Sequence, residues 1–152
     1  DYEAGGVSKR EQFIELWAEY LQEHEKLGGD VKATSRSLLF FLSVFDQYES
    51  GAIRGVAIVE PGVGVFLCGE LGDMKYDVVE DDRAYVLGTY VVPEQRRAGV
   101  AKRMRNAAIE KLRDIGIRSL EATVLASDPI AEASMRSAGY TVTGLHGILE
   151  VN

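Results

Sequence analysis

Arg96, Arg97, Lys102, Arg103 and Arg105 put five cationic side chains, and no acidic one, into ten consecutive residues. The whole chain has a formal net charge of −7, so the other 142 residues carry −12. A cationic knot in an acidic protein is a place for an anion. Two small residues, Gly99 and Ala101, say how it would be held. The start of a helix offers up to about four unpaired backbone N–H groups and about half a positive charge. Small side chains there let a phosphate oxygen reach the backbone, while Arg96, Arg97, Lys102 and Arg103 stand around the mouth as countercharges. The design suits a pyrophosphate. It does not suit a nucleic acid or an anionic membrane, because those are bound by extended basic surfaces that release counterions, and this patch is small.

The elements that must position this stretch are read from hydrophobic spacing. AYVLGTYVV, residues 84–92, reads as a largely buried strand that Pro93 ends. Val100, Met104, Ala107, Ala108, Leu112 and Ile115 recur at helical spacing and predict a helix over 98–115, stopped by Gly116. Residues 119–126 form the next strand. Strand, helix and strand make a βαβ crossover, right-handed in about 98% of cases, so its two strands run parallel. Ahead of it, Phe13, Ile14, Trp17, Tyr20, Leu21 and Leu27 mark an amphipathic helix over 8–27. Leu38, Phe41, Leu42, Phe45 and Tyr48 mark a second one, capped by Thr34 or Ser35 and stopped by Gly51. Residues 53–60 and 63–70, split by Pro61-Gly62, predict a hairpin. An acidic loop over 72–82 carries Asp73, Asp77, Glu80, Asp81 and Asp82. Downstream, Asp128-Pro129 opens a short helix that Gly139 ends, and short strands at 140–143 and 147–151 follow. The fold class is α/β in the α+β sense: a mixed, mostly antiparallel sheet around one parallel pair, flanked by about four helices.

At 152 residues, 46% of them hydrophobic and 27% charged, the chain predicts one domain over 1–152 with a core that needs neither disulfide nor metal. Cys68 is the only cysteine, no apolar run reaches the roughly 18 residues of a membrane span, and no signal-like start is present. The expectation is a cytoplasmic protein with no membrane partner. Its first residue is Asp1 rather than Met, which leaves room for a further strand upstream.

The common nucleotide motifs are absent: there is no G-x-G-x-x-G after the first strand and no G-x-x-x-x-G-K-[ST]. The form present is P-x-x-R-x-x-G-x-A, as Pro93, Arg96, Gly99 and Ala101. With its strand before and helix after, it resembles the signature [QR]-x-x-G-x-[GA] of the GCN5-related N-acetyltransferase (GNAT) superfamily. A second signature of that family, N-x-x-A-x-x-x-Y-x-x-x-G-F, has a partial counterpart in Asp128, Ala131, Met135, Gly139 and Tyr140. The resemblance runs from about Ala84 to Gly144, and the two leading helices fit the family's order. It implies a GNAT-like fold whose two parallel strands splay at a bulge to admit acyl-CoA. The residues Arg96, Arg97, Ala98, Gly99, Val100, Ala101 and Lys102 would hold the pyrophosphate of acetyl-CoA, the cosubstrate. Val91 and Val92 at the end of the strand would meet the pantetheine arm, Val91 through its backbone near the bulge. Asp128, Ala131 and Met135 would complete the cosubstrate site. No metal is implied.

The implied reaction is attack of a primary amine on the acetyl thioester, by direct transfer within a ternary complex. An alkyl amine with pKa about 10.4 costs about 4 to 5 kcal/mol to deprotonate at pH 7. Many relatives carry a Glu or Asp base five or six residues before the motif proline, where this chain has Leu87 and Gly88. The family's general-acid tyrosine falls on Met135. A thiolate of pKa about 8.5 leaves well without an acid, and proximity and backbone N–H groups still assist. Tyr90 and Glu70 are the leading substitutes, with Thr89, Glu121, Ser134 and Tyr140 also open. Cys68 reads as core packing, and His24 and His146 read as solvated. The acidic loop would suit a cationic acceptor such as a polyamine, an aminoglycoside or a lysine side chain. The absence of both usual acid/base residues keeps a second reading open, a non-catalytic acyl-CoA sensor. Relatives often pair, so a homodimer is compatible with the chain, though no residue compels it.

Overall fold

The computed structural model describes residues 3–4, 7–71 and 82–122, with Ala133 and Arg136 as single helical positions. Two short antiparallel strands, β1 (Glu3–Ala4) and β2 (Val7–Ser8), lead directly into α1 (Lys9–Lys26). Ser8 turns strand into helix: its hydroxyl accepts the N–H of Glu11 at 3.2 Å, a cap worth about 1 kcal/mol. Thr34 does the same for α2 (Ser35–Ser50) through the N–H of Ser37 at 3.1 Å. Phe13, Leu16, Trp17 and Leu21 are the buried stripe of α1, and Phe41, Leu42, Phe45 and Tyr48 that of α2. The stripes interlock through rings: Phe13 stacks on Phe45 at 4.5 Å between centroids, and Trp17 lies 5.1 Å from Phe41.

A four-stranded sheet follows, ordered β3 (Gly55–Glu60), β4 (Gly64–Gly69), β5 (Arg83–Val91) and β6 (Ser119–Glu121). β3, β4 and β5 pair antiparallel, while β5 and β6 are parallel and joined through α3 (Val100–Asp114). The mixed sheet around a βαβ pair is the architecture the sequence predicts. Every residue of β4 is buried, because both its faces are covered. On one face Ala57, Val65, Leu67 and Tyr90 pack under α1 and α2. On the other, Val56, Phe66, Cys68 and Ala84 pack under Val100, Met104, Ala108 and Leu112 of α3.

β5 departs from the expected largely buried strand. Opposite β4, Leu67 pairs with Gly88 but Cys68 pairs with Val86, so Leu87 is an extra residue and the register shifts there. Such a bulge flips which side chains face which layer. Ala84 and Val86 sit on the α3 side, Leu87, Tyr90 and Val92 on the α1–α2 side, and Val91 again on the α3 side. Only Ala84, Gly88 and Tyr90 of the strand are buried.

The C-terminal end of β5 passes through a 3-10 turn at Pro93–Gln95, so α3 begins at Val100, two residues later than its periodicity predicts. Three α-helices are described. The remainder of the strand expected over 119–126, the short helix expected after Asp128 apart from positions 133 and 136, the two last strands and most of the acidic loop lie outside the described residues. Among the described residues no helix is long and apolar enough to cross a membrane.

Candidate functional site

The C-terminal end of β5 and the start of α3 build the site. Val92 ends the strand with its N–H on the carbonyl of Val63 at 2.9 Å. The chain then runs exposed from Pro93 to Gly99 until buried Val100 anchors it beside Met104 in the α3-side core. Arg97 takes φ 67° and Gly99 φ 81°, both left-handed. For Arg97 that conformation costs about 1 to 3 kcal/mol, and it is held between a proline-started turn and an anchored helix. Gly99 is the N-cap residue of α3 and offers no side chain to cap it. The first helical bond runs from Arg103 N–H to the Gly99 carbonyl at 3.0 Å. The N–H groups of Val100, Ala101 and Lys102 therefore have no acceptor within the helix. A Cβ added at Gly99 would meet nothing within 4 Å, so the space over these groups is open.

The side chains around this mouth are not four equivalent countercharges. Arg96 turns back toward the sheet: its Nε donates to the Val91 carbonyl at 2.9 Å, its Nη2 to Glu23 of α1 at 2.6 Å, and its guanidinium lies 5.7 Å from the Tyr90 ring centre. Arg103 grips Glu60 through two bonds of 2.8 and 2.7 Å. That grip, through its hydrogen bonds first, holds the Glu60 carboxyl below its usual range. Arg97 and Lys102 have no ion pair among the described residues, and both are exposed. An anion here meets three backbone N–H groups and two uncommitted cations; Arg96 and Arg103 brace the loop.

The pairing geometry also moves the bulge. It lies at Leu87, four residues before Val91, and so at the position where the family's usual base is missing. Val91 itself pairs with Gly64, and its carbonyl is engaged by Arg96. β6 pairs with β5 only from Arg83 to Tyr85, so beyond that point the far edge of β5 has no strand beside it among the described residues.

Tyr90 and Glu70 are brought into the sheet but not together. Tyr90 pairs with Val65, whereas Glu70 follows Gly69, five residues along β4, or roughly 17 Å at the rise of a strand. Both Glu70 oxygens are gripped by Arg54, at 3.0 and 2.8 Å, and its carbonyl accepts the Tyr48 hydroxyl at 2.8 Å. The Tyr90 hydroxyl donates to Glu19 at 3.1 Å. Burial first, then that bond, pushes its pKa up to about 12. A phenol that holds its proton this firmly is a poor acid toward a thiolate of pKa about 8.5.

Among the other candidates, Thr89 pairs with Phe66 on the α3 side, and Glu121 is bonded to Arg83 at 3.2 Å. Cys68 is fully buried, and burial pushes its thiol up to about 12, which fits core packing. His24 is not solvated: its imidazole is covered by Gly29, with Nε2 buried, unbonded and 3.5 Å from Asp30. Asp128, Ala131, Ser134, Met135, Tyr140 and His146 lie outside the described residues. Sequence reasoning missed Glu19, Glu23 and Glu60. The first two continue a series Glu11, Glu15, Glu19, Glu23 at four-residue spacing, one face of α1, which was a readable signal.

The profile of the Acetyltransferase (GNAT) family matches residues 10–140. No curated protein matches the sequence. Solved structures share the fold. A single-residue variant of protein BH1408 from Bacillus halodurans aligns at TM-score 0.69 and 16% identity, over 93% of each chain. The aminoglycoside acetyltransferase meta-AAC0020, from an uncultured soil metagenomic sample and solved with sisomicin, aligns at 0.64 and 17%, over 95% of this chain and 91% of that one. The aminoglycoside N-acetyltransferase AAC(6')-Iy, solved with the bisubstrate analogue CoA-S-monomethyl-acetylneamine, aligns at 0.60 and 16%, over 92% of each chain.

Proposed function

The chain belongs to the GNAT family of acetyltransferases, and from that premise we propose that it transfers an acetyl group from acetyl-CoA to a primary amine of a small, cationic acceptor. The observation that carries this reading is the uncapped start of α3. Three N–H groups without a helical acceptor, an N-cap without a side chain and two uncommitted cations open onto solvent where α3 follows β5. These residues fit a pyrophosphate: Val100, Ala101 and Lys102 through their backbone, Arg97 and Lys102 through charge. Arg96 and Arg103 hold the loop in place from Glu23 and Glu60. Bound there, acetyl-CoA supplies an activated acyl carbon with a competent thiolate leaving group.

What the chain contributes is chiefly position. An amine held against the thioester in a site that excludes water gains from effective concentration alone, worth about 7 to 11 kcal/mol at best. No described carboxylate stands free beside the bulge: Glu70 is held by Arg54, and Glu19 accepts from Tyr90. The reading therefore assigns the amine's proton to solvent, with the rate rising as the acceptor's free-base fraction rises. The acidic series on α1, Glu11, Glu15, Glu19 and Glu23, favours a cationic acceptor even with Glu23 paired to Arg96. Aminoglycosides bound in a neighbour of the same fold make that class the first to try.

Calorimetric titration with acetyl-CoA and with CoA, at low and raised salt, tests the binding half. Micromolar affinity that weakens with salt is expected; no binding overturns the reading. An amine panel of polyamines, aminoglycosides and lysine peptides, followed by release of the CoA thiol, tests the transfer half. One observation favours a second reading, a non-catalytic acyl-CoA sensor: Leu87 and Gly88 stand where the family's carboxylate would be. Binding without turnover of any panel member would select it.

A further inference from the structure

We propose that the hydroxyl of Tyr20, on α1, is a catalytic hydrogen-bond donor of this site, aimed at the carbonyl oxygen of the acyl thioester beside the bulge of β5. The proposal rests on the acetyl-CoA reading above and deepens it. Its first leg is length. The pantetheine arm has about twelve chain atoms between phosphate and sulfur, as many as four extended residues at three atoms each, or roughly 13 Å. An arm that starts from a pyrophosphate at the head of α3 and runs back along the edge of β5 from Val92 therefore ends beside Gly88 and Leu87. There the bulge interrupts the pairing of β5 with β4.

The second leg is what stands over Gly88. A Cβ at that residue would lie 2.8 Å from Tyr20 Cζ, 2.9 Å from Tyr20 Cε2 and 2.6 Å from Trp17 Cη2. The space that a carboxylate side chain at this position would need is filled by two rings of α1, and the hydroxyl-bearing carbon of one of them faces the strand. Only glycine lets that edge come so close to the β5 backbone. Tyr20 is itself held by its neighbours, with its ring centre 4.6 Å from that of Trp17 and 5.6 Å from that of His24.

The third leg is an unused donor. Three tyrosines pack on the α1–α2 face of the sheet. Tyr48 donates to the Glu70 carbonyl and Tyr90 to Glu19. Tyr20 is half-buried, and its hydroxyl has no hydrogen-bond partner among the described residues and is not sealed from solvent. No protein acceptor among the described residues occupies this donor, so it is free to bond a group brought in from outside the protein. Burial, with the nearby charge of Asp30 second, pushes its pKa up to about 12. It therefore keeps its proton at neutral pH and can donate but not act as a base. In the transfer step the nitrogen–carbon bond forms, the carbon–sulfur bond breaks, the thiolate leaves with the electron pair and the amine's surplus proton passes to water. Tyr20 lends a hydrogen bond where negative charge gathers on oxygen and ends the step as it began.

The test needs no acceptor. S-acetonyl-CoA keeps a carbonyl at the acyl end but carries no cleavable thioester. Protein labelled with carbon-13 at the tyrosine ζ position is titrated with S-acetonyl-CoA and, separately, with CoA, the Tyr20 resonance being assigned by triple resonance. The expected result is a shift of the Tyr20 signal with S-acetonyl-CoA and none with CoA. In parallel, Tyr20→Phe should lose about five-fold in affinity for S-acetonyl-CoA and nothing for CoA. Binding of both ligands with an unmoved Tyr20 signal, or equal movement with both, overturns the role of Tyr20 and leaves the acetyl-CoA reading standing. Failure of either ligand to bind overturns both. The wild-type spectrum is the primary readout, so a poorly folded Tyr20→Phe leaves the test intact.

Discussion

Glycine at position 99 separates a backbone requirement from an anion requirement, because the structure prices the two differently. Its φ of 81° costs a residue with a Cβ about 1 to 2 kcal/mol, while the Cβ itself meets nothing within 4 Å. Gly99→Ala should therefore lower stability by that amount, or by roughly 2 to 8 °C in Tm for a domain of this size. Its acetyl-CoA affinity should change little, since a methyl adds no charge and meets nothing beyond its chain neighbours within 4 Å. Gly99→Glu meets the same backbone cost and adds a negative charge at the mouth. Against the two charges of a pyrophosphate at about 6 Å, Coulomb's law in water gives about 1.4 kcal/mol, which is about ten-fold in Kd. The penalty grows as the bound anion excludes solvent and shrinks with added salt. The assay is thermal unfolding of the two variants beside wild type, with calorimetric acetyl-CoA titration at two salt concentrations. Equal losses of stability and a Kd at least ten-fold weaker only for the glutamate are expected. An unchanged Kd in Gly99→Glu, with the fold intact, would refute the placement of the anion at the head of α3.

Two further outcomes follow from the cited environments. Cys68 is fully buried with its thiol pushed up to about 12, so a thiol reagent at pH 8 should label the native protein far more slowly than the urea-unfolded one; since its folded pKa lies above the unfolded value of 9.0, its contribution is complete below that value and is lost as pH rises from about 9 toward 12, which alkaline unfolding would show. The Glu60 carboxyl is depressed by Arg103, so its contribution is present above the ordinary carboxylate range and is lost as pH falls through the folded value; Arg103→Ala should flatten that acid limb slightly, as expected of an exposed pair, and equal acid titrations of variant and wild type would contradict the pairing.

What the sequence disclosed and what it hid divide along distance in the chain. Helix caps and stops were legible because their partners are three residues away: Thr34 caps α2, and Gly51 ends it. The parallel pair was legible because a strand, an amphipathic helix and a strand in series leave one common topology. The pairings of the cations were not legible, since Arg96 finds Glu23 across 73 residues and Arg103 finds Glu60 across 43. No local pattern encodes such a meeting, so the sequence does not tell that Arg96 and Arg103 are ion-paired while, among the described residues, Arg97 and Lys102 are not. His24 was misjudged for a local reason: its charged neighbours in sequence suggest solvent, but the turn after α1 folds Gly29, five residues on, back over the ring.

The bulge at Leu87 explains the remaining gap and gives it a meaning. AYVLGTYVV fails to alternate because one inserted residue changes the parity of the strand, so hydrophobic side chains fall on successive positions and the whole stretch imitates a buried strand. The same insertion places Leu87 under α1 and α2 and leaves Gly88 bare beneath Tyr20 and Trp17. A carboxylate introduced at position 88 would have to displace two packed rings, one of them a fully buried tryptophan whose removal alone costs about 3 to 5 kcal/mol. The missing base is therefore not an isolated loss that a single substitution could restore. Gly88 and the aromatic wall of α1 require one another.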